Sequence, residues 1–335
     1  MARPRSPKVQ EAKERMIARL REGFHRPGQR FLSNRAVAEA FGVSYQTAHR
    51  LMGELQAEGW LARAPGSGSF VPGPAPRMRG VALVLHERAR RRGSFGAQLR
   101  DVVREALEEA GVEWTEPVPG TVAVGTEWLP VLWEQPEALA AVARERRFAI
   151  LVNDRPPPGL AATVVDGLAV DDYSGGAAAA EILRARGARL RLAVLAGPAG
   201  DPRSEARVQG FCAHAPKCDV IPAGTWYAEE AGPVARRLAR REYEAVFCCN
   251  DRLAAAVVAA ADELGCRRPA LVGFDDAPVA EELDLTTIAI PWERLAGELV
   301  ELARRRLAGD LMSASQRIFS PHPVMRRSHL AVGDV

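Results

Sequence analysis

The sequence predicts an α/β chain in two parts: a small helical head closed by a β-hairpin, and a larger doubly wound α/β domain of two lobes. Three observations carry that prediction. Residues 31–71 hold two short helical patterns, a tight turn between them and a Gly-rich turn between two apolar runs. Residues 71–80 hold three prolines and no periodicity, as a semi-extended linker does. From Val81 onward, short apolar strands alternate with Ala/Leu-rich helices, the order of a parallel sheet with helices on both faces. At 335 residues and 47% apolar content the chain has enough material for a core in each part.

In the head, Val9, Met16, Ile17 and Leu20 recur among charges over residues 8–22 and predict an amphipathic helix packed beneath the rest. Ser33 caps a second helix whose Ala36, Val37, Ala40 and Phe41 share one buried face, and Gly42 supplies the turn that ends it. Ser44 caps a third helix. There Ala48, Leu51, Met52 and Leu55 fall at i, i+3, i+4 and i+7, so Tyr45, Gln46, His49 and Arg50 point away from the core. The runs 60–63 and 69–71 flank Pro65-Gly66-Ser67-Gly68, a hairpin with a mobile-backbone tip. Two short helices joined by a tight turn and followed by such a hairpin make a winged helix-turn-helix, a module that places its last helix in the DNA major groove. The charge agrees: residues 1–80 carry about +8 and the remainder about −5, for a total of +3.

These strings resemble the N-terminal domain of the GntR family of bacterial transcription regulators. Ser33, Arg35, Val43, Ser44, Thr47, Gly66, Gly68, Phe70 and Val71 match its pattern in register. The resemblance implies that Ser33, Arg35, Ser44, Tyr45, Gln46, Thr47, His49 and Arg50, with Gly66, Ser67 and Gly68 of the wing, form the DNA-binding set. Tyr45 and His49 stand where that family usually carries arginines, so its phosphate and guanine contacts at those positions do not transfer.

The expected organisation is a head over 1–72, a linker over 73–79 and an effector-binding, dimerising body over 80–335. Its first lobe would take about 80–170 and 291–315, its second about 171–290 and 316–332. Strands are expected at 81–85, 148–152, 191–195, 245–249 and 270–273, with helices up to about 110 and at about 175–186, 252–264 and 292–307. The strings VDDYSGG at 170–176, RSEARVQGF at 203–211, VFCCND at 246–251, LVGFDD at 271–276, LTTI at 285–288 and PVMRRS at 323–328 resemble, in order, the effector domain of the LacI family. That family shares its two-lobed fold with periplasmic sugar-binding proteins, and its pairing with a GntR-type head is found in some bacterial repressors. Between Val112 and Trp133 the family has a strand, a helix and a strand. Here the segment holds three prolines and no helical period, so one helix is expected to be missing.

Ligands of doubly wound domains gather at the carboxyl ends of strands. The resemblance implies an effector bound between the lobes by Arg207 and Asp251, with Trp226 against it, Asp276 on the wall, and Ser94 and Phe95 entering from the first lobe. Asn250-Asp251 also reads as the cap of the following helix, and Asp276 equally as a turn carboxylate. Ile290 replaces a residue that is often polar in sugar binders, which suits a ligand less polar than a free hexose.

No cofactor, metal site or catalytic centre is expected. The five cysteines are too few and too odd in number for a disulfide framework, and Cys212, His214 and Cys218 lack a fourth metal ligand nearby. Schiff-base chemistry would need a buried lysine, and only Lys8, Lys13 and Lys217 exist. No phosphate loop, metalloprotease or esterase motif occurs, and neither a signal peptide nor a membrane-spanning run is visible, so the chain is expected in the cytoplasm. The expected function is a transcription regulator acting as a repressor. Its partners are a pseudo-palindromic double-stranded DNA operator, a small-molecule effector such as a sugar, and a second copy of itself. The alternatives are a DNA-binding dimer whose body only assembles subunits, and, more remotely, an enzyme-fused regulator.

Overall fold

The computed structural model describes residues 7–22, 24–25, 28–64, 68–72, 78–118, 120–122, 124–145, 147–157, 159, 164–185, 191–240, 243–310 and 314–330. Most of the expected linker and the wing tip, including Gly66 and Ser67, lie outside them.

The head contains α1 (Pro7–Arg21), α2 (Asn34–Phe41), α3 (Tyr45–Ala57) and the antiparallel pair β1 (Ala62–Ala64) and β2 (Gly68–Phe70). Its core is its own: Met16, Val37, Phe41, Ala48, Leu51, Met52, Leu55 and Leu61 are buried together, so three amphipathic faces and the hairpin close one apolar cluster. Lys13 reaches from α1 to α3, 3.2 Å from Glu54 and in contact with Glu58. A buried ammonium is tolerable there because two carboxylates meet it.

The body contains two six-stranded sheets. The first runs in the order β13 (Gln316–Phe319), β7 (Val165–Val170), β6 (Ala149–Val152), β5 (Trp128–Trp133), β3 (Gly80–Leu85) and β4 (Trp114–Thr115), with α4 (Phe95–Glu109) and α5 (Pro136–Glu145) in its crossovers. The second runs β14 (His322–Val324), β12 (Thr287–Ala289), β11 (Ala270–Asp275), β10 (Ala245–Cys248), β8 (Leu192–Ala196) and β9 (Cys218–Pro222). Its helices are α6 (Asp172–Arg184), α7 (Pro202–His214), α8 (Ala228–Ala239), α9 (Asp251–Leu264) and the short α10 (Pro278–Glu282); α11 (Trp292–Leu307) follows β12. The central pairs are parallel, β10 with both β8 and β11, as the strand–helix alternation requires.

By contact the chain forms two compact units, residues 1–84, 107–167 and 299–316, and residues 85–106, 168–298 and 317–335. Most of α4 thus belongs to the second unit, whereas the sequence suggested a first lobe continuous from 80. In the first unit Asp166 and Arg306 form a fully buried pair, Nε to Oδ2 at 2.8 Å and Nη2 to Oδ1 at 2.9 Å, fixing the returning chain to β7. Between β4 and β5 no helix occurs among the described residues, and the loop leaves Val118 and Val122 exposed. Two prolines in that stretch of sequence, Pro117 and Pro119, lack backbone donors and disfavour helical geometry before each ring.

Candidate functional site

Two surfaces carry the chemistry, one on the head and one at strand ends of the second unit. On the head, Ser33 Oγ accepts the Ala36 amide and Ser44 Oγ the Thr47 amide, both at 3.2 Å, while Ser44 and Thr47 hydroxyls lie 2.9 Å apart. These side chains satisfy backbone donors in the first turns of α2 and α3. Gly42 sits at φ 61°, a left-handed turn that a β-carbon would strain. Ala48, Leu51, Met52 and Leu55 are buried, leaving Tyr45, Gln46, His49 and Arg50 exposed on the opposite face. Arg35 is exposed beside them.

A concavity between this face and the hairpin is lined by Arg30, Arg35, Tyr45, His49, Gln56 and Arg63 among others. The segment before α2 pairs with the hairpin, Phe31 N to Ser69 O at 2.8 Å, and Gln56 Nε2 donates to Ser69 Oγ at 3.1 Å, so helix and hairpin are tied in one frame. Gly68, at φ 107°, packs where a β-carbon would meet the Arg30 guanidinium at 2.9 Å. Arg30, Gln56 and Arg63 were missed by sequence reasoning. Only the fold brings the residues before α2 and after α3 to the recognition face.

In the second unit Arg207 is the centre. Its Nε lies 2.7 Å from Asp172 Oδ1, its Nη1 is 3.2 Å from Asp275 Oδ1 and donates to Cys249 O at 2.6 Å, and its guanidinium sits 3.6 Å from the Phe274 ring centre. Those bonds use Nε and Nη1 and leave Nη2 as the remaining donor nitrogen. Asp275, held at φ 102°, shares its other oxygen with Arg252 Nη2 at 3.1 Å, and Arg252 Nη1 donates to Gly93 O at 3.0 Å. Burial pushes the Asp172 and Asp275 carboxyls up, and the facing guanidinium of Arg207 pulls both back.

Asp251 is placed differently from the expected effector contact. Its Oδ1 accepts Thr287 Oγ1 at 2.6 Å and its Oδ2 accepts the Ala277 amide at 2.7 Å, so it fastens the start of α9 to β12 and to the turn after β11. Burial first, and the nearby Asp275 second, push its carboxyl up to about 8. The helix cap is Asn250, whose Oδ1 accepts Leu253 N at 2.8 Å and whose Nδ2 donates to Trp226 O at 3.0 Å. Asp276 likewise turns away from Arg207 and pairs with Arg326 at 2.9 Å. The residue at the Arg207 cluster is its neighbour Asp275: in a strand, side chains one position apart leave on opposite faces, and the motif LVGFDD does not say which of its two carboxylates turns inward.

Trp226 stacks its ring over Gly197, where a β-carbon would lie 2.6 Å from it, and donates Nε1 to Asp201 Oδ2 at 3.2 Å. Asp201 caps α7; burial opposes its charge, but Arg203 and the indole overcome it and hold the carboxyl at about 2. Ser94 caps α4 by accepting the Ala97 amide at 3.0 Å, and Phe95 lies 5.1 Å from the ring of Trp292. Trp292 Nε1 and Arg252 Nε are buried and make no hydrogen bond among the described residues. Ile290 is buried. In the first unit, Asn153, directly after β6 at φ 58°, is buried with both amide atoms unpartnered. In the second unit Asp172, Asn250, Arg252 and Asp275 extend the set; a polar residue at or just after the end of an apolar strand was the available signal for Asn250 and Asp275.

Among the described residues no group of three His, Cys, Asp or Glu side chains is arranged to hold a metal ion, and no helix is long and apolar enough to cross a membrane. His214 turns its Nδ1 to Gly210 O at 3.1 Å.

Comparison with known proteins matches residues 8–71 to the bacterial regulatory proteins of the gntR family and residues 180–329 to the periplasmic binding protein-like domain. The arabinose metabolism transcriptional repressor of Geobacillus stearothermophilus is 24% identical over 96% of this chain and 97% of its own length. The HTH-type transcriptional repressor PurR of Edwardsiella ictaluri is 28% identical over 49% of this chain, which spans 51% of that protein. Among solved structures, the transcriptional regulator CelR in complex with cellobiose superposes with a TM-score of 0.63 at 21% identity, covering 97% of this chain and all of that one.

Proposed function

We propose that this chain, a GntR-like helix-turn-helix head fused to a LacI-like, periplasmic-binding-protein-like effector domain, is a transcriptional repressor controlled by a small polar ligand such as a sugar. The observation that carries the reading is the exposed face of α3: four side chains able to meet base edges or phosphates, on a helix capped at its start, buried on its other side and tied to a hairpin. The relatives supply the regulatory half of the reading: by name two are transcriptional repressors, one of them of arabinose metabolism, and CelR is a transcriptional regulator in complex with cellobiose. In this reading the chain does no chemistry on its ligand.

The head reads DNA as 1–72, with 73–79 as linker and 80–335 as body. Arg35 and Arg50 contact phosphate or base, Tyr45, Gln46 and His49 face the groove, Ser33, Ser44 and Thr47 aim the helices, and Gly66, Ser67 and Gly68 shape the wing. A single head reads few base pairs, so the working form is a homodimer on an inverted repeat, and a monomer by sedimentation on DNA would contradict it. Arg35→Ala is expected to weaken binding on all sequences alike and to lower the salt slope by about 1, whereas Gln46→Ala changes sequence preference. Gel shifts at three salt concentrations separate the two.

The effector sits at the strand ends of the second unit, facing Arg207 Nη2, Asp275, Arg252 and Trp226. It switches the repressor only to the extent that it binds two arrangements unequally. Ligand is found by thermal shift of the full chain against a panel of sugars. Trp226→Leu should keep operator affinity and lose most of the shift. If no sugar or related polyol raises the midpoint of the wild type, the body is an assembly module.

A further inference from the structure

We propose that Cys212 and Cys218 form a reversible dithiol–disulfide site that fastens the end of α7 to the edge strand β9. The two sulfurs face each other at 3.1 Å, one in the last turn of α7 and the other at the first residue of β9. The turn between them is held at its start: Arg184 Nη1 donates to His214 O at 2.7 Å, and His214 Nδ1 turns back to Gly210 O. Both thiols are partly exposed, so a small oxidant reaches them, whereas Cys248 and Cys249 are fully buried. β9 is paired on one side only, to β8, which leaves the edge one anchor short. A bond to α7 supplies the second anchor, on the helix that carries Arg207 and next to the strand that leads to Trp226.

With hydrogen peroxide as oxidant the step balances. The Cys212 sulfur attacks a peroxide oxygen, the O–O bond breaks, and a sulfenic acid and one water result. The Cys218 sulfur then attacks the sulfenic sulfur; the S–S bond forms, the hydroxyl leaves, and it takes the Cys218 proton to become the second water. Two electrons pass from the two thiols to the peroxide. Burial and the hydrogen bond to Cys212 push the Cys218 thiol up to about 12, so Cys218 is not the sulfur that meets the peroxide first.

The test treats the reduced full chain with hydrogen peroxide and reads intact mass, tryptic peptides and the melting midpoint. The expected product is two hydrogen atoms lighter, links peptides 208–217 and 218–236, reverts with dithiothreitol and melts a few degrees higher than the reduced chain. C212S and C218S lose this product, and C266S keeps it, which shows that the loss is not a general effect of removing a thiol. A link between any other pair overturns the proposal, as does addition of oxygen to Cys212 without the loss of two hydrogens, or a midpoint unchanged by a correctly mapped link.

Discussion

Arg207→Ala is expected to destabilise the second unit by about 3–5 kcal/mol, because it leaves carboxylates buried without their counter-charge. Asp172 is fastened to Arg207 at 2.7 Å and is 8% exposed, and Asp275 keeps only Arg252. Cys249 O loses its 2.6 Å donor, and the Phe274 face loses its cation. Arg207→Ala thus acts on the fold of the second unit itself. Its pH dependence has a definite sign. Both carboxyls are already pushed up by burial, and removing the guanidinium that pulls them down raises them further. The native variant then binds more protons than its unfolded chain above about pH 4, so its stability falls as pH rises from there through the raised carboxyl pKa values. Urea denaturation at pH 5 and pH 8 should show the larger deficit at pH 8; a deficit under 1 kcal/mol at both would contradict the role assigned to Arg207.

Gly176→Ala, the addition of one methyl group, should cost about 1–3 kcal/mol or more despite the better helix propensity of alanine. Helices α6 and α7 cross with their backbones in contact. A β-carbon on Gly176 would stand 2.0 Å from Arg207 O and 3.0 Å from Phe211 N, and one on Gly210 would stand 2.0 Å from Tyr173 O. Backbone cannot step aside as a side chain can, so the helices must separate, taking Arg207 on α7 away from Asp172 at the start of α6. Gly297→Ala is the matched control, since nothing lies within 4 Å of its β-carbon position. There the same change should stabilise by up to about 1 kcal/mol. Thermal melts of both variants decide the matter, and equal behaviour would refute the close crossing.

Much of the body was legible because its signals are local. The strings VFCCND and LVGFDD end apolar strands with polar residues, and the folded chain does bring the ends of β10 and β11 to one cluster around Arg207. Which carboxylate does which work was not legible. Asp251 and Asp275 are both buried acids after strands, yet one spends its oxygens on Thr287 and the Ala277 amide and the other faces two arginines. That difference depends on β12, thirty-odd residues further along, and on a backbone with φ 102° that no motif announces.

What the sequence by itself determined is the set of elements whose cause lies within a few residues. The Ser33 and Ser44 caps, the Gly42 turn, the buried face of α3, the strand–helix alternation and the helix lost to prolines between β4 and β5 all belong there. Tertiary structure decided the rest: the junction of Arg30 and Arg63 beside α3, the glycine-mediated contact of α6 with α7, the closed ion pairs of Arg207, and the meeting of Cys212 with Cys218. The physical reason is range. Caps and periodicity are settled by hydrogen bonds and faces one or two turns long, while the charge state and free lone pairs of a buried group are set by whichever distant segments the fold packs against it.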